Sequence, residues 1–492
     1  MDMPSNTTAS KKSSKGYLRL TESAFLRERE AYWDEYAATL DQWEGPRRYY
    51  QGRLSEIYRV LIPPRMRVLD LGCGTGDLLA SLDPSYGVGI DFSATMLRVA
   101  KQRHPGLIFV QQDVHELDLQ EQFDYVICSD LVNELWDVQR VFEAARKHCH
   151  RSTRIILNAY SHLWEGPRHV AEWLGLAKRQ LPKNWLTSED ISNLLYLADF
   201  EVIRRLQEIL WPFRTRLVAA MCNRYLVKLL PFRWFAMTNF IVARPQPKHL
   251  SGAEPVVTIV VPARNEAGNI RHILDRVPEM GGGTELIFVE GNSTDDTYGV
   301  IQREIASRPN CSAKLLKQTG TGKGDAVRLG FAIARGDVLG ILDADLTVPP
   351  EDLPRFYDAW RSGKGDLVNG VRLVYPMELR AMRFFNLLGN KFFSLAFSWL
   401  LGQEIKDTLC GTKFISGRDY DMIAMNRGYF GDLDPFGDFD LIFGSAKYTL
   451  KIVDLPVRYG ERTYGDTNIR RWSHGWLLLK MLLRAMHRLK FV

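Results

Sequence analysis

Val68-Leu-Asp-Leu-Gly-Cys-Gly-Thr-Gly-Asp77 decides how the first half of this chain folds. An apolar run ends in Asp70 and passes at once into Gly72, Gly74 and Gly76. Glycines directly after a buried strand allow a tight turn and bring the backbone close to a ligand at a helix N-terminus. Outward from this turn, Arg67–Leu71, Gly87–Asp91, Leu107–Gln111, Phe123–Cys128 and Arg154–Asn158 read as short buried strands. Helical patterns fall between them, as at Ala94–Arg103 and Val138–His148. This βαβ rhythm predicts an α/β, doubly wound parallel sheet. Such sheets bind ligands at the carboxyl ends of their strands, where Asp70 and Asp91 fall.

At 492 residues the chain is too long for one ordinary core. A hydrophobic share of 46% and a charged share of 25% are those of a globular protein. The net charge of +6 is uneven: residues 470–492 carry Arg470, Arg471, Lys480, Arg484, Arg488 and Lys490 and no acid. Basic residues interleaved with Leu, Met and Trp point to an anionic membrane surface and not to nucleic acid. The six cysteines form no CxxC pair, which argues against a zinc site or disulfide framework and for a reducing compartment. Residues 1–20 read as a polar disordered tail, not a secretory signal. No stretch reaches the roughly 18 apolar residues of a spanning helix.

Arg244-Pro-Gln-Pro-Lys-His-Leu-Ser-Gly-Ala-Glu-Pro255 has linker composition, and residues 245–255 are expected to join two domains, 21–244 and 256–470. The strand rhythm then restarts at Val256–Val261, Glu285–Glu290, Ala313–Gln318, Val338–Leu342 and Asp366–Gly370. Four motifs follow in order: Val260-Val-Pro-Ala-Arg-Asn-Glu266, Phe288-Val-Glu-Gly-Asn-Ser-Thr-Asp-Asp-Thr297, Gly322-Lys-Gly-Asp-Ala326 and Leu342-Asp-Ala-Asp-Leu-Thr347. Carboxylates at i and i+2 on a strand end, Asp343 and Asp345, suit a hard divalent cation, Mg²⁺ or Mn²⁺, held against a diphosphate.

Two acids after the glycine turn, Asp91 and Asp113, close the next two strands of the first half. With the turn they resemble class I S-adenosylmethionine-dependent methyltransferases over about residues 49–240. The resemblance implies a Rossmann-like domain in which Asp70, Gly72, Gly74 and Gly76 surround the methionine part of S-adenosyl-L-methionine. Asp91 would then hold the ribose, and Asp113 with Val114 the adenine. Cys128-Ser-Asp-Leu-Val-Asn-Glu-Leu135 matches the loop that faces the methyl group. Asp130, Asn133, Glu134, His162 and Trp164 are candidate lining residues, and neither the acceptor nor a base is identified.

The second half resembles family 2 glycosyltransferases of GT-A fold over about residues 256–489, and among them dolichyl-phosphate mannose synthase and bacterial polyprenyl-phosphate glycosyltransferases. The resemblance implies a base and ribose pocket from Pro262, Ala263, Asn265 and Glu266. Glu290, standing where the family has Asp, would contact the nucleoside, and Lys323 and Gly324 would lie beside the nucleotide. Asp343 and Asp345 would bind the metal, with Thr347 where a third ligand is often found. Asp407-Thr-Leu-Cys-Gly-Thr-Lys413 resembles the acceptor loop. Gly437-Asp-Phe-Asp-Leu-Ile442 supplies Asp438 and Asp440 to position the acceptor, and Arg462-Thr-Tyr-Gly-Asp-Thr-Asn468 an arginine that clamps phosphate. Arg372 is a second expected phosphate contact.

The implied reaction moves a hexose, mannose or glucose, from GDP-mannose or UDP-glucose to a polyprenyl phosphate with inversion. The methyltransferase half would act in the same pathway. The alternative is a saccharide or glycolipid acceptor, with the first half a cofactor-binding scaffold. Residues 380–401 and 472–492 read as basic amphipathic helices at the cytoplasmic membrane face. Packing on the core or at a homo-oligomer interface is the other reading of these helices.

Overall fold

The structure is a computed structural model that describes residues 21–38, 45–174, 180–247, 252–372, 374, 384–429, 437–460, 462, 464 and 471–491. The tail at 1–20 and most of the segment 461–470 therefore lie outside the described residues. Helices Glu22–Ala38 and Gly45–Leu61 come first. They are followed by β1 (Arg67–Leu71), β2 (Tyr86–Asp91), β3 (Ile108–Gln111), β4 (Phe123–Ser129), β5 (Cys149–Tyr160), β6 (Phe200–Glu208) and β7 (Thr238–Pro245). The second half holds β8 (Val257–Ala263), β9 (Thr284–Glu290), β10 (Ala313–Lys317), β11 (Val338–Ile341), β12 (Leu367–Val371), β13 (Lys413–Ser416) and β14 (Ile452–Pro456).

These strands form two seven-stranded sheets, in the orders β3-β2-β1-β4-β5-β7-β6 and β10-β9-β8-β11-β13-β12-β14. Both sheets are mixed, which differs from the parallel sheets expected. β7 runs antiparallel to β5 and β6, and β13 antiparallel to β11 and β12. The physical reason is connectivity. An antiparallel strand needs no crossover helix, so it leaves no mark on a βαβ rhythm. Strands β1 and β8 sit centrally and are buried along nearly their whole length, as near-continuous apolar runs require. Their carboxyl ends deliver the Asp70 turn in one sheet and the Pro262–Glu266 loop in the other.

The stretch read as a linker begins inside the fold. Arg244 and Pro245 belong to β7, Gln246 N–H donates to Asp199 O (2.7 Å), and a Cβ on Gly363 would collide with Pro247. Arg244 is buried and reaches into the second half. It donates to Asp366 Oδ1 (2.9 Å) and to the carbonyl of Gly363 (2.6 Å). Arg154 of β5, 2% exposed, donates to Asp366 Oδ2 (2.7 Å) and to Thr449 O (2.8 Å). Burial opposes the charge on Asp366, but Arg154 and Arg244 outweigh it and hold the carboxyl below the ordinary range.

Replacing Arg154 by Met is expected to destabilise the protein by about 3–5 kcal/mol, the cost of stranding one partner of a buried ion pair. Because Asp366 has a depressed pKa, wild type carries this contribution at neutral pH. It is lost as pH falls below the ordinary carboxylate range through the lower folded value. Urea unfolding at pH 7 and near pH 3 measures both, and the variant's deficit should shrink at the lower pH.

Candidate functional site

Each sheet builds one site at its carboxyl edge. In the first half Gly72, Gly74 and Gly76 all have left-handed φ, at 71°, 52° and 72°. Cβ atoms on Gly72 and Gly76 would lie 2.8 Å from Leu131 Cδ1 and 2.6 Å from Phe109 Cζ. Asp91 closes the turn by accepting from Gly74 N–H (Oδ2, 2.9 Å) and Ser93 N–H (Oδ1, 2.9 Å). Each of its oxygens keeps a second lone pair for a ribose hydroxyl. Asp70 is buried, and its Oδ1 lacks a hydrogen-bond partner among the described residues. Burial, with Asp91 nearby, pushes its pKa up to about 8. An orphaned buried carboxylate beside an open glycine turn fits a cationic, hydrogen-bonding ligand such as the methionine end of S-adenosyl-L-methionine.

The residues expected at the adenine are differently engaged. Asp113 caps the short turn Val114–Glu116, accepting from His115 N–H (3.0 Å) and pairing with His115 Nδ1 (2.7 Å). Val114 is buried in the core. Its side chain packs inward among the core residues.

Near the expected methyl-facing loop, Asp130 has a φ of 54° and accepts from Tyr50 O–H (2.9 Å) and Asn158 Nδ2 (2.5 Å). Burial raises its pKa. Asn133 is tied to Tyr160 N–H and Asn184 O, so it braces the loop. His162 stacks on Trp185 and Trp164 donates to Phe235 O. Sequence reasoning missed Tyr50 and Asn158, which lie far from Asp130 in the chain and carry no motif. It also missed helix Glu22–Ala38, whose Arg29 donates to Glu134 O (2.9 Å) and whose Asp34 accepts from Ser93 Oγ (2.5 Å).

In the second half two loops are zipped together at the carboxyl ends of β8 and β9. Pro262 and Ala263 pair in register with Val289 and Glu290. Asn265 accepts from Thr294 N–H (2.7 Å), Glu266 N–H donates to Thr297 Oγ1 (3.0 Å), and Glu290 accepts from Ser293 N–H (2.5 Å). The Asn265 and Glu290 side chains thus order the two loops through backbone N–H groups. Asp325, missed although it lies within the Gly322–Ala326 motif, orders the next loop by accepting from Gln318 Nε2 (2.9 Å) and Gly320 N–H (3.2 Å).

At the end of β11 each carboxylate faces a cation. Lys323 Nζ lies 2.5 Å from Asp343 Oδ1. Burial acts to raise the Asp343 pKa, but Lys323, with Lys413 and Arg372 beyond it, holds it below the usual range. Arg462 bridges Asp345 Oδ2 (2.7 Å) and Glu266 Oε1 (3.0 Å). Burial raises Glu266 to about 7 despite Arg462. Thr347 donates through both its N–H (3.1 Å) and its hydroxyl (2.8 Å) to Asp345 Oδ1. In this arrangement Thr347 orients Asp345.

The acceptor-side motifs separate. Lys413, fully buried, lies 3.3 Å from Asp438 Oδ1, and Gly411 packs so closely over Lys323 and Asp343 that a Cβ would overlap both. Gly437, at the start of helix Asp438–Lys447, packs on Gly324, and its Cβ would lie 2.9 Å from Gly324 Cα. Asp440 does not join this cluster. Residues i and i+2 of a helix point to nearly opposite faces, and Asp440 lies 3.3 Å from both Arg328 and Arg427. Arg372 is also committed elsewhere. Its fork grips Asp407 (2.7 and 2.9 Å), whose pKa falls to about 2 although burial opposes this. Arg372 therefore braces the 407–413 loop.

Residues 62–199 match the family model for a methyltransferase domain, and residues 258–433 the model for glycosyl transferase family 2. The dolichol-phosphate mannosyltransferase of Pyrococcus furiosus is 27% identical over 219 residues, 44% of this chain and 59% of that protein. Glycosyltransferase AglJ of Haloferax volcanii is 31% identical over 236 residues, 46% of this chain and 71% of that protein. The undecaprenyl-phosphate 4-deoxy-4-formamido-L-arabinose transferase of Edwardsiella ictaluri is 33% identical over 216 residues, 43% of this chain and 62% of that protein. The chain thus spans 59% of the first relative's length and 62% of the third's. An S-adenosylmethionine-dependent methyltransferase from Mesorhizobium loti is a remote structural match, 20% identical with a TM-score of 0.30, covering 38% of this chain and 96% of that one.

The raised pKa of Asp70 gives a signed expectation. The folded state keeps its proton up to about pH 8, whereas an unfolded carboxyl loses it near 4. The group therefore costs stability increasingly as pH rises between those values. Asp70→Asn should match wild type near pH 4 and exceed it in thermal midpoint at pH 8, with no ligand added.

Proposed function

The chain belongs to glycosyl transferase family 2 through its second half and carries a methyltransferase domain in its first, and on that footing we propose that it is a bifunctional transferase. The second half moves a hexosyl group from a nucleotide sugar, GDP-mannose or UDP-glucose, to a polyprenyl phosphate. The first half moves a methyl group from S-adenosyl-L-methionine to an acceptor of the same pathway. The observation that carries the first assignment is the meeting of Asp343, Lys323, Gly411, Lys413 and Asp438 at one place. Four separate motifs supply them. The printed names of the relatives, which specify dolichol phosphate and undecaprenyl phosphate, support a lipid-phosphate acceptor.

A phosphate monoester has its second pKa near 6 and is mostly a dianion at neutral pH. One of its oxygens attacks the anomeric carbon as the bond to the nucleoside diphosphate breaks, and this single displacement inverts the centre. No strong base is required, so Asp438, held by Lys413, serves to keep the acceptor pocket in shape. Lys323 and Arg462 are the cations beside which negative charge would gather on the leaving group.

Asp343 and Asp345 would hold Mg²⁺ or Mn²⁺, which would neutralise the departing diphosphate. The donor set fits. The described residues contain no cluster of three or more His, Cys, Asp or Glu ligands, and Mg²⁺ is commonly bound by one or two carboxylates with phosphates completing its shell. For the methyl half, Asp70 and the Gly74 turn would orient the cofactor. Asp130, fixed by Tyr50 and Asn158, would face the acceptor.

No helix among the described residues is long and apolar enough to cross a membrane. Helix Phe384–Leu401 buries Phe397, Leu400 and Leu401 against Phe439 and Phe443 but exposes Phe392 and Leu395. Part of it packs on the core and part supports peripheral contact with a lipid surface.

Purified protein given labelled GDP-mannose or UDP-glucose and a short-chain polyprenyl phosphate should yield lipid-extractable label. Asp345→Ala should cut it at least about 100-fold, and label found only on saccharide would overturn the assignment. Gly411→Ala should have a similar effect with unchanged circular dichroism, since its Cβ would overlap the Lys323–Asp343 pair. Calorimetry with S-adenosyl-L-methionine should show binding that Asp91→Ala weakens by about tenfold or more.

A further inference from the structure

A polar cavity of about 360 Å³ lies where the two halves meet. Its walls come from β6 (Gln207, Glu208), from the 227–233 segment (Lys228, Arg233), from the end of helix Phe384–Leu401 (Trp399) and from Lys490 near the C-terminus. Neither transferase half has this wall alone.

The cavity is charged in one sense. Glu208 is its single buried carboxylate, already paired with Lys228 and within 3.9 Å of Arg53. Glu404, on the rim, is the other acid lining it, and its side chain is 75% exposed. Against these stand Arg53, Arg204, Lys228, Arg233 and Lys490. Lys490 donates to the carbonyl of Trp399 (2.9 Å) and lies over its ring, but no carboxylate is ion-paired with it. Arg204, buried behind the wall, has an Nε without a hydrogen-bond partner among the described residues. Burial, reinforced by Lys228, Arg204 and Arg233 and opposed by Glu208, lowers the Lys490 pKa to about 8. Among the described residues Arg53 pairs with Glu56 and Lys228 with Glu208, whereas no carboxylate is ion-paired with Arg233 or Lys490, and an anion relieves the repulsion between these two cations.

The surroundings indicate which anion. Two segments that line the cavity carry exposed apolar side chains, residues 226–235 with Leu230, Trp234 and Phe235 and helix Phe384–Leu401 with Phe392 and Leu395, and the C-terminal residues at Lys490 adjoin them. They are joined by Trp399 Nε1 donating to Lys228 O (3.3 Å) and Arg224 Nε to Phe491 O (2.8 Å). A polyanionic solute has no use for such a rim, whereas a headgroup attached to acyl chains does.

We propose that the cavity between the two halves binds the phosphate of an anionic phospholipid headgroup and so docks the whole chain, both active edges together, on a membrane. The inference does not depend on the transfer reaction.

The test uses the full chain and vesicles of phosphatidylcholine alone or mixed with phosphatidylglycerol, at physiological ionic strength. Wild type should sediment with the mixed vesicles. Arg233→Gln/Lys490→Gln should bind them at least about tenfold more weakly. Lys101→Gln/Lys147→Gln, the same charge change on exposed first-half helices, should lose less than about twofold. Equal losses in the two pairs, or none in the first, overturn the proposal. Inorganic phosphate against chloride at matched ionic strength separates the sources. A thermal stabilisation by phosphate that the Arg233/Lys490 pair abolishes, with vesicle binding unaffected by that pair, assigns the cavity to a free anion and overturns the lipid. Lys490→Met alone repeats the vesicle measurement should the double variant fold poorly. Transfer to a short-chain acceptor in detergent should be unchanged in these variants, so a failed glycosyl assay and a failed docking test are distinct results.

Discussion

A single carboxylate, Asp366, sits between Arg154 and Arg244 at the junction of the two sheets. Both arginines come from strands of the first sheet, and Asp366 immediately precedes β12 of the second. Charges buried this completely are stable only with their partners in place. Arg154 also donates to Thr449 O, and Arg244 to Gly363 O, so each guanidinium ties the second half down twice. The two halves are thereby held in one relation, and the cavity lined by Glu208, Lys228 and Lys490 exists because of it.

The same electrostatic logic runs through both sites. In the second half every acid at the end of β11 is answered by a base from another motif: Asp343 by Lys323, Asp345 by Arg462 and, beside them, Asp438 by Lys413. Such pairing fixes the carboxylates before any diphosphate arrives, which is how a site avoids reorganising during reaction. The first half does the reverse. Asp70 is buried with no cation paired to it among the described residues, and burial with Asp91 nearby raises its pKa.

Much of the fold was legible in the sequence because buried parallel strands are apolar runs that end in functional turns. β1, β2, β4, β8, β9 and β11 are of this kind, and the glycine turn and the Asp343–Asp345 pair lie at their ends. Strands β6, β7, β13 and β14 escaped the βαβ rhythm. β7 is apolar but ends in the Arg-Pro that reads as a linker, and β13 has only four residues. Among site residues, those grouped in short motifs were found. Tyr50 and Asn158 act through a partner distant in the chain, Asp130, which local patterns do not encode.

The sequence by itself determined the two domain types and the identity of the acids at their strand ends, because strand burial and turn chemistry are local properties. Only the tertiary structure decided what those side chains face. It turned Arg372 to Asp407, set Asp438 and Asp440 apart on one helix, and made Thr347 a support for Asp345. It also gathered five cations around Glu208 from segments far apart in the chain. Charge pairing depends on distance in space, and that distance is settled only when the sheets pack.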